Sequence, residues 1–106
     1  MGKLMGKIMA HGINRLSARA VETAKNSGLI ADGGGLYLQV SKSGAKSWLY
    51  KFMLNGRSRE MGLGSLKAIS LADAREKATL CRAALAEGID PIEARKSDRI
   101  QSIVAD

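Results

Sequence analysis

The side chains able to carry covalent or metal chemistry are few, and their spacing assembles no centre. His11 is the one histidine and Cys81 the one cysteine. A zinc site takes three or four His, thiolate or carboxylate ligands, and one of each would need an unusual carboxylate set to complete it. Nucleophilic catalysis needs a nucleophile and a base held in contact; His11 sits in an N-terminal segment expected to be mobile, and no carboxylate cluster is suggested. Asp32-Gly33-Gly34-Gly35 invites comparison with a phosphate cradle, but it lacks G-x-G-x-x-G spacing and the Lys-Ser/Thr pair of a P-loop. It reads as a turn, because consecutive glycines cost too much backbone entropy to persist inside a helix or central strand. No catalytic residue, metal or cofactor is expected. A lone cysteine also excludes an internal disulfide, which fits a reducing, cytoplasmic setting.

Charge points instead to binding. The 106 residues carry a net charge of +7, with an isoelectric point near 9.9. Residues 1–35 hold five basic and two acidic groups and residues 36–64 five and one, so the excess lies before residue 65. A polyanion or an acidic membrane surface would match it. The opening MGKLMGKIMA repeats MGK without a continuous apolar run, and no stretch approaches membrane-spanning length, so no membrane association is expected. Residues 1–13 are expected to form a flexible N-terminal segment.

The elements that must position this charge can be read in order. Ser17 is placed to cap a short helix through about Asn26, with Gly28 as its stop. After the glycine run, Leu36, Leu38 and Val40 alternate with Tyr37, Gln39 and Ser41, the period of a strand with one buried face. Ser47 to Leu54 repeats the pattern, with Trp48, Tyr50, Phe52 and Leu54 on the buried parity. All four aromatic residues lie between positions 37 and 52, so this segment supplies the bulk of the core. Asn55-Gly56 is the pair preferred in a two-residue hairpin turn and folds a third strand, about Arg57 to Leu63, back antiparallel. Ser70 caps a helix from Leu71 to about Glu87, whose apolar line Leu71, Ala74, Ala78, Cys81, Leu85 forms one stripe. Cys81 is thereby a small buried hydrophobe. Asp90-Pro91 opens a last helix, charged and weakly amphipathic, that reads as a linker. The expected fold is α+β, a three-stranded antiparallel sheet with packed helices in the order α-β-β-β-α, followed by a C-terminal linker helix.

A sheet covered on one side leaves its other face open. That face is expected to present Tyr37, Gln39, Leu49, Lys51, Met53, Ser58 and Glu60, bordered by Lys42, Lys46, Arg57 and Arg59. Exposed Tyr37, Leu49 and Met53 beside cations are poorly explained by solubility alone. A β-ribbon or small sheet enters the major groove of duplex DNA, where Gln pairs with adenine, Arg or Lys with guanine, and an apolar side chain with the thymine methyl. Loop lysines 42 and 46 would contact phosphates, giving register and salt-dependent affinity.

Five blocks then resemble a known family: D-G-G-G-L-Y-L-Q-V at 32–40, S-G-A-K-S-W at 43–48, N-G-R-S-R-E-M-G-L-G-S at 55–65, S-L-A-D-A-R at 70–75 and E-G-I-D-P at 87–91. Their order over residues 14–96 resembles the N-terminal arm DNA-binding domain of prophage and genomic-island integrases, a branch of the tyrosine recombinases. The resemblance implies a non-catalytic domain, residues 14–88, whose sheet docks in the major groove at arm-type attachment sites, with residues 89–106 beginning a linker toward a core-binding and catalytic region absent here. It implies double-stranded DNA as partner, together with other integrase protomers and DNA-bending accessory proteins. The family's tyrosine nucleophile lies far downstream, so neither Tyr37 nor Tyr50 takes that role. Leu49 and Met53 depart from the basic or polar residues common at matching positions, which implies lost phosphate contacts or a preference for thymine-rich edges. Lys67-Ala68 replaces a loop where relatives often carry proline. A double-stranded RNA-binding domain shares the α-β-β-β-α order but needs a lysine cluster entering its second helix, where this sequence has Ser70-Leu71-Ala72-Asp73. A stand-alone regulator derived from a truncated integrase is the remaining alternative, and the reading frame beyond Asp106 would discriminate it.

Overall fold

The structure, a computed structural model, describes residues 14–97. Asn55 and Gly56 adopt φ of 53° and 76°, the left-handed backbone that an Asn-Gly hairpin turn requires. They close β3 (Lys46–Leu54) onto β4 (Arg57–Ser65) in antiparallel register, with Tyr50 opposite Met61 and Met53 opposite Ser58. β2 (Leu36–Val40) pairs with the other edge of β3, Leu38 lying opposite Trp48.

The sheet has four strands, not the three expected. β1 (Gly28–Gly33) lies outside β2, giving the order β1-β2-β3-β4. Gly28 therefore starts a strand rather than stopping a helix, and α1 (Ala18–Thr23) ends before Asn26. The glycine run does make a turn, with Gly34 and Gly35 joining two adjacent strands. Two features hid β1 from a local reading. It carries Gly and Asp, which are depleted in strands, and its register slips between Ala31 and Gly33, so period two breaks at Asp32. What secures that irregularity is distant in sequence: Asp32 is buried and its carboxylate is bound by Arg75, 43 residues away.

The helix ends follow local chemistry. The Ser17 hydroxyl accepts from the Ala20 amide at the start of α1. Ser70 and Asp73 form a reciprocal capping box at the start of α2 (Leu71–Ala86), satisfying amides that the first turn leaves without partners. The Asp90 carboxylate accepts from the Ile92 amide at 2.8 Å, opening α3, which is helical over residues 91–97. The expected flexible segment 1–13 and the linker beyond residue 97 lie outside the described residues.

Both α1 and α2 cover the same face of the sheet. Val21 from α1 and Ala74, Ala78 and Cys81 from α2 join one core with Leu36, Leu38, Val40, Trp48, Tyr50, Phe52 and Met61. Alanine and cysteine on α2 let its backbone approach the aromatic layer closely. Tyr50 and Phe52 stack at 5.8 Å, and the buried Trp48 indole donates to the Ile69 carbonyl at 2.7 Å. Apolar packing and a satisfied indole N–H thus hold β3, the strand that also carries the centre of the opposite face.

Candidate nucleic-acid interface

The face turned away from the helices is built from alternate residues of all four strands. Strand pairing sets Leu29, Gln39, Ser47 and Ser65 across one row and Ala31, Tyr37, Leu49 and Gly62 across the next. Beyond them lie the opposed pairs Lys51 with Glu60 and Met53 with Ser58. Of the residues expected on this face, Tyr37, Gln39, Leu49, Lys51, Met53 and Ser58 are brought together on it, and Glu60 joins them. Leu29 and Ala31 are additions supplied by β1. Leu29–Ile30–Ala31 does alternate, but Gly28 before it and Asp32-Gly33 after it masked the signal.

Local electrostatics knit the middle of this face. The Lys51 ammonium sits 5.4 Å from the centre of the Tyr37 ring and 3.9 Å from a Glu60 carboxylate oxygen. Both charged side chains remain well exposed, at 40% and 58%, so in water the pair contributes little to stability. Its groups stay accessible as a donor and an acceptor.

The bordering cations divide. Lys42 lies exposed in the turn between β2 and β3, and Arg57 is exposed where β4 leaves the hairpin tip. Lys46 points to the helix side instead, where its ammonium donates to the Val21 and Glu22 carbonyls at 2.8 and 2.7 Å. It satisfies carbonyls that the last turn of α1 leaves without helical partners. Arg59 also faces the helix side, opposite Phe52 in register, and donates to Asp90 at 2.6 Å with Glu93 at 3.8 Å. That pairing, with the Ile92 amide, holds the Asp90 carboxyl below the ordinary carboxylate range against the opposing effect of burial. Arg95 donates to the Gly62 carbonyl at 2.7 Å, so β4 and the first turns of α3 are fastened together.

Two further lysines share the sheet end where Lys42 stands. β1 begins at Gly28 beside Val40, and β4 ends at Ser65 beside Ser47. Register therefore puts the exposed residues Lys25, Lys42 and Lys67 at the same end. Only strand order reveals this, since the three are scattered in sequence.

A groove of about 450 Å³ lies on the opposite side, where Met61, Leu63, Leu80, Ala84, Pro91 and Ala94 contribute to its walls. Cys81 also borders it, with burial pushing its thiol pKa up and so keeping it protonated and unreactive. Among the described residues no three His, Cys, Asp or Glu cluster as a metal site, and no helix is long and apolar enough to cross a membrane. What the open face can do is present donors, acceptors, one of them the Glu60 carboxylate, and apolar groups to a grooved, anionic partner.

Comparison with known proteins gives the family. Residues 16–98 match the family model described as "Arm DNA-binding domain". The integrase of Enterobacteria phage P4 is 39% identical over 93 residues, covering 83% of this chain and 21% of the relative. The prophage integrase IntS of Escherichia coli K12 is 34% identical over 85 residues, 77% of this chain and 22% of the relative. The integrase of Shigella phage Sf6 has the same identity and coverage. The chain thus spans about a fifth of the length of these curated relatives. The matched region is the non-catalytic N-terminal part of integrases. This chain belongs to the arm DNA-binding domain family.

Proposed function

We propose that this chain binds double-stranded DNA at arm-type attachment sites through the open face of its four-stranded sheet, in support of site-specific integration and recombination. The observation that carries the reading is the division of the molecule into two faces. One is closed by α1 and α2 over the aromatic core; the other displays Tyr37, Gln39, Leu49, Lys51, Met53 and Ser58 with Lys42 at its margin, while Arg57, opposite Leu54 on the helix-side parity, stands exposed at the hairpin tip. Base-edge contacts fall to the face and phosphate contacts to the margins, the division of labour expected at a sequence-reading interface. Lys46 and Arg59 act on this reading by bracing the elements behind the sheet.

Residues 14–88 form the binding unit, and residues 89–106 begin a linker to core-binding and catalytic regions of a longer integrase. The Arg59–Asp90 and Arg95–Gly62 contacts set the direction in which α3 leaves the sheet. Other integrase protomers and DNA-bending proteins are the partners such an assembly would use, in the cytoplasm where duplex DNA and a reduced Cys81 are at home. The start of α2 gives no support to duplex RNA, because the Asp73 carboxylate occupies the helix end where a phosphate would dock. Titrating the chain with attachment-region duplex DNA and with duplex RNA at matched salt tests the proposal. Tighter, steeply salt-dependent binding to the DNA is expected; equal or tighter binding to the RNA overturns it.

A further inference from the structure

β3 and β4 reach farther than their neighbours. β2 begins at Leu36 opposite Tyr50, and the last bond from β3 toward that side is the Lys51 amide to the Gly35 carbonyl at 2.8 Å. From Phe52 to Arg59 the hairpin continues as a two-stranded ribbon, pairing Phe52 with Arg59, Met53 with Ser58 and Leu54 with Arg57. A two-stranded ribbon is an element that the roughly 12 Å major groove admits. This one is stiffened from behind, since Phe52 is buried in the core and Arg59 is tied to Asp90, the residue that opens α3.

On the open side of the ribbon stands Met53, 67% exposed. Its neighbour across the strands is Ser58, and the adjacent opposed pair is Lys51 with Glu60. A carboxylate there disfavours a phosphate but suits a base edge, because Glu accepts from the cytosine amino group. The phosphate-seeking cations lie at the ends instead, with Arg57 beside the tip and Lys25, Lys42 and Lys67 at the far end. An unbranched thioether between such neighbours has one apolar target on a base edge, the thymine C5-methyl.

We propose that the β3–β4 ribbon is the base-reading tip of the sheet and that Met53 is a specificity residue contacting a thymine methyl in the major groove. The inference rests on the duplex-DNA reading above and adds which base feature is read and by which side chain. Methyl burial corresponds to about a fourfold change in affinity, and Met53 is exposed enough to be exchanged without disturbing the core.

The test takes the intact chain, selects preferred duplexes from a randomised library, and measures binding to a selected duplex with its thymines replaced one at a time by deoxyuridine. That exchange removes only the methyl. One or more positions are expected to lose about fourfold in affinity, Met53→Ser to abolish the loss at one of them, and Met53→Leu to retain it. Selected duplexes without a shared thymine, equal affinity for every deoxyuridine duplex, or unchanged discrimination by Met53→Ser would each overturn the inference while leaving duplex binding intact. A chain that captures no duplex at all defeats the underlying functional reading and this inference with it. Thermal melts of both variants, expected to match that of the parent, keep a folding defect from imitating a lost contact.

Discussion

The bond between Asp32 and Arg75 should govern the stability of the domain, and its two halves should not be equivalent. The Asp32 side chain is 2% exposed and the Arg75 side chain 30%. The guanidinium donates to both carboxylate oxygens at 2.9 Å and to the Leu16 carbonyl at 2.7 Å, while the Leu16 amide donates to the carboxylate at 2.8 Å. One ion pair therefore joins α2, the irregular edge strand β1 and the chain entering α1. Arg75→Ala strands a buried carboxylate, which costs about 3–5 kcal/mol. Asp32→Asn leaves a guanidinium that can turn partly to water, and the loss is that of charged hydrogen bonds, about 2 kcal/mol. With a urea dependence of about 1 kcal/mol/M, the midpoint should fall by about 2 M for Asp32→Asn and further for Arg75→Ala. Trp48, the only tryptophan and fully buried, reports unfolding by fluorescence.

The same pair predicts a pH window. Burial alone would raise the Asp32 pKa, but hydrogen bonds from Arg75 and Leu16 and the Arg75 charge outweigh it and lower the pKa below its ordinary value. A depressed carboxylate contributes stability above its unfolded pKa of about 3.9 and loses it as pH falls through the lower folded value. The gap between parent and Asp32→Asn should be full near pH 7 and narrow below about pH 4, because Asn cannot titrate. Asp90, also held low, is common to both proteins and cancels in the difference. A gap as wide in acid as at neutrality, or an Arg75→Ala variant milder than Asp32→Asn, would refute the reasoning.

Further perturbations separate binding from scaffolding. Lys25→Gln, Lys42→Gln and Lys67→Gln should each leave the melting temperature unchanged and reduce the slope of log K against log[salt] for duplex DNA by about 0.9, where each contacts one phosphate. Lys46→Ala should do the reverse, lowering the melting temperature with little change in that slope, because its ammonium serves the α1 carbonyls. Gly35→Ala should destabilise the fold by about 2–4 kcal/mol in urea melts, since φ is +94° and the added Cβ would stand 2.6 Å from the Lys51 carbonyl oxygen. Cys81 should resist a thiol reagent in the native protein and react at a rate set by unfolding, measured by following modification across a urea series.

How far the sequence discloses this molecule depends on the range of the forces involved. Period-two alternation located β2 and β3, Asn55-Gly56 located their hairpin with β4, and the Ser70 cap located α2, because each signal is written within a few residues. β1 escaped because its strand character depends on Asp32 meeting Arg75. β4 runs on to Ser65 through Gly62 and Gly64, with a bulge opposite Trp48 and Leu49, a continuation that glycine-rich text argues against. Within the interface, strand parity sorted Tyr37, Gln39, Leu49, Lys51, Met53 and Ser58 together. It also set Lys46, Arg57 and Arg59 on the helix parity, but their charge suggested the border of the binding face; the α1 carbonyls and Asp90 take up Lys46 and Arg59, and Arg57 stays exposed at the hairpin tip.

That last distinction changes what the net charge means for binding. Lys46, Arg59, Arg75, Arg82 and Arg95 all donate to oxygens of the protein itself. Arg82, for instance, holds the Gly34 carbonyl at the β1–β2 turn. Such cations raise the isoelectric point but do not release counterions from DNA, whereas a cation that neutralises a phosphate does. The electrostatic part of binding should therefore follow the exposed cations at the sheet's ends, Lys25, Lys42, Arg57 and Lys67, rather than the formal charge of +7. A face whose centre is largely apolar and amphiprotic, with positive charge at its ends, is suited to finding DNA by charge and choosing a site by base edge. The internally committed arginines tie together β1, β4 and the first turns of α3, so that, on the proposed reading, the binding face would be formed before the duplex arrives.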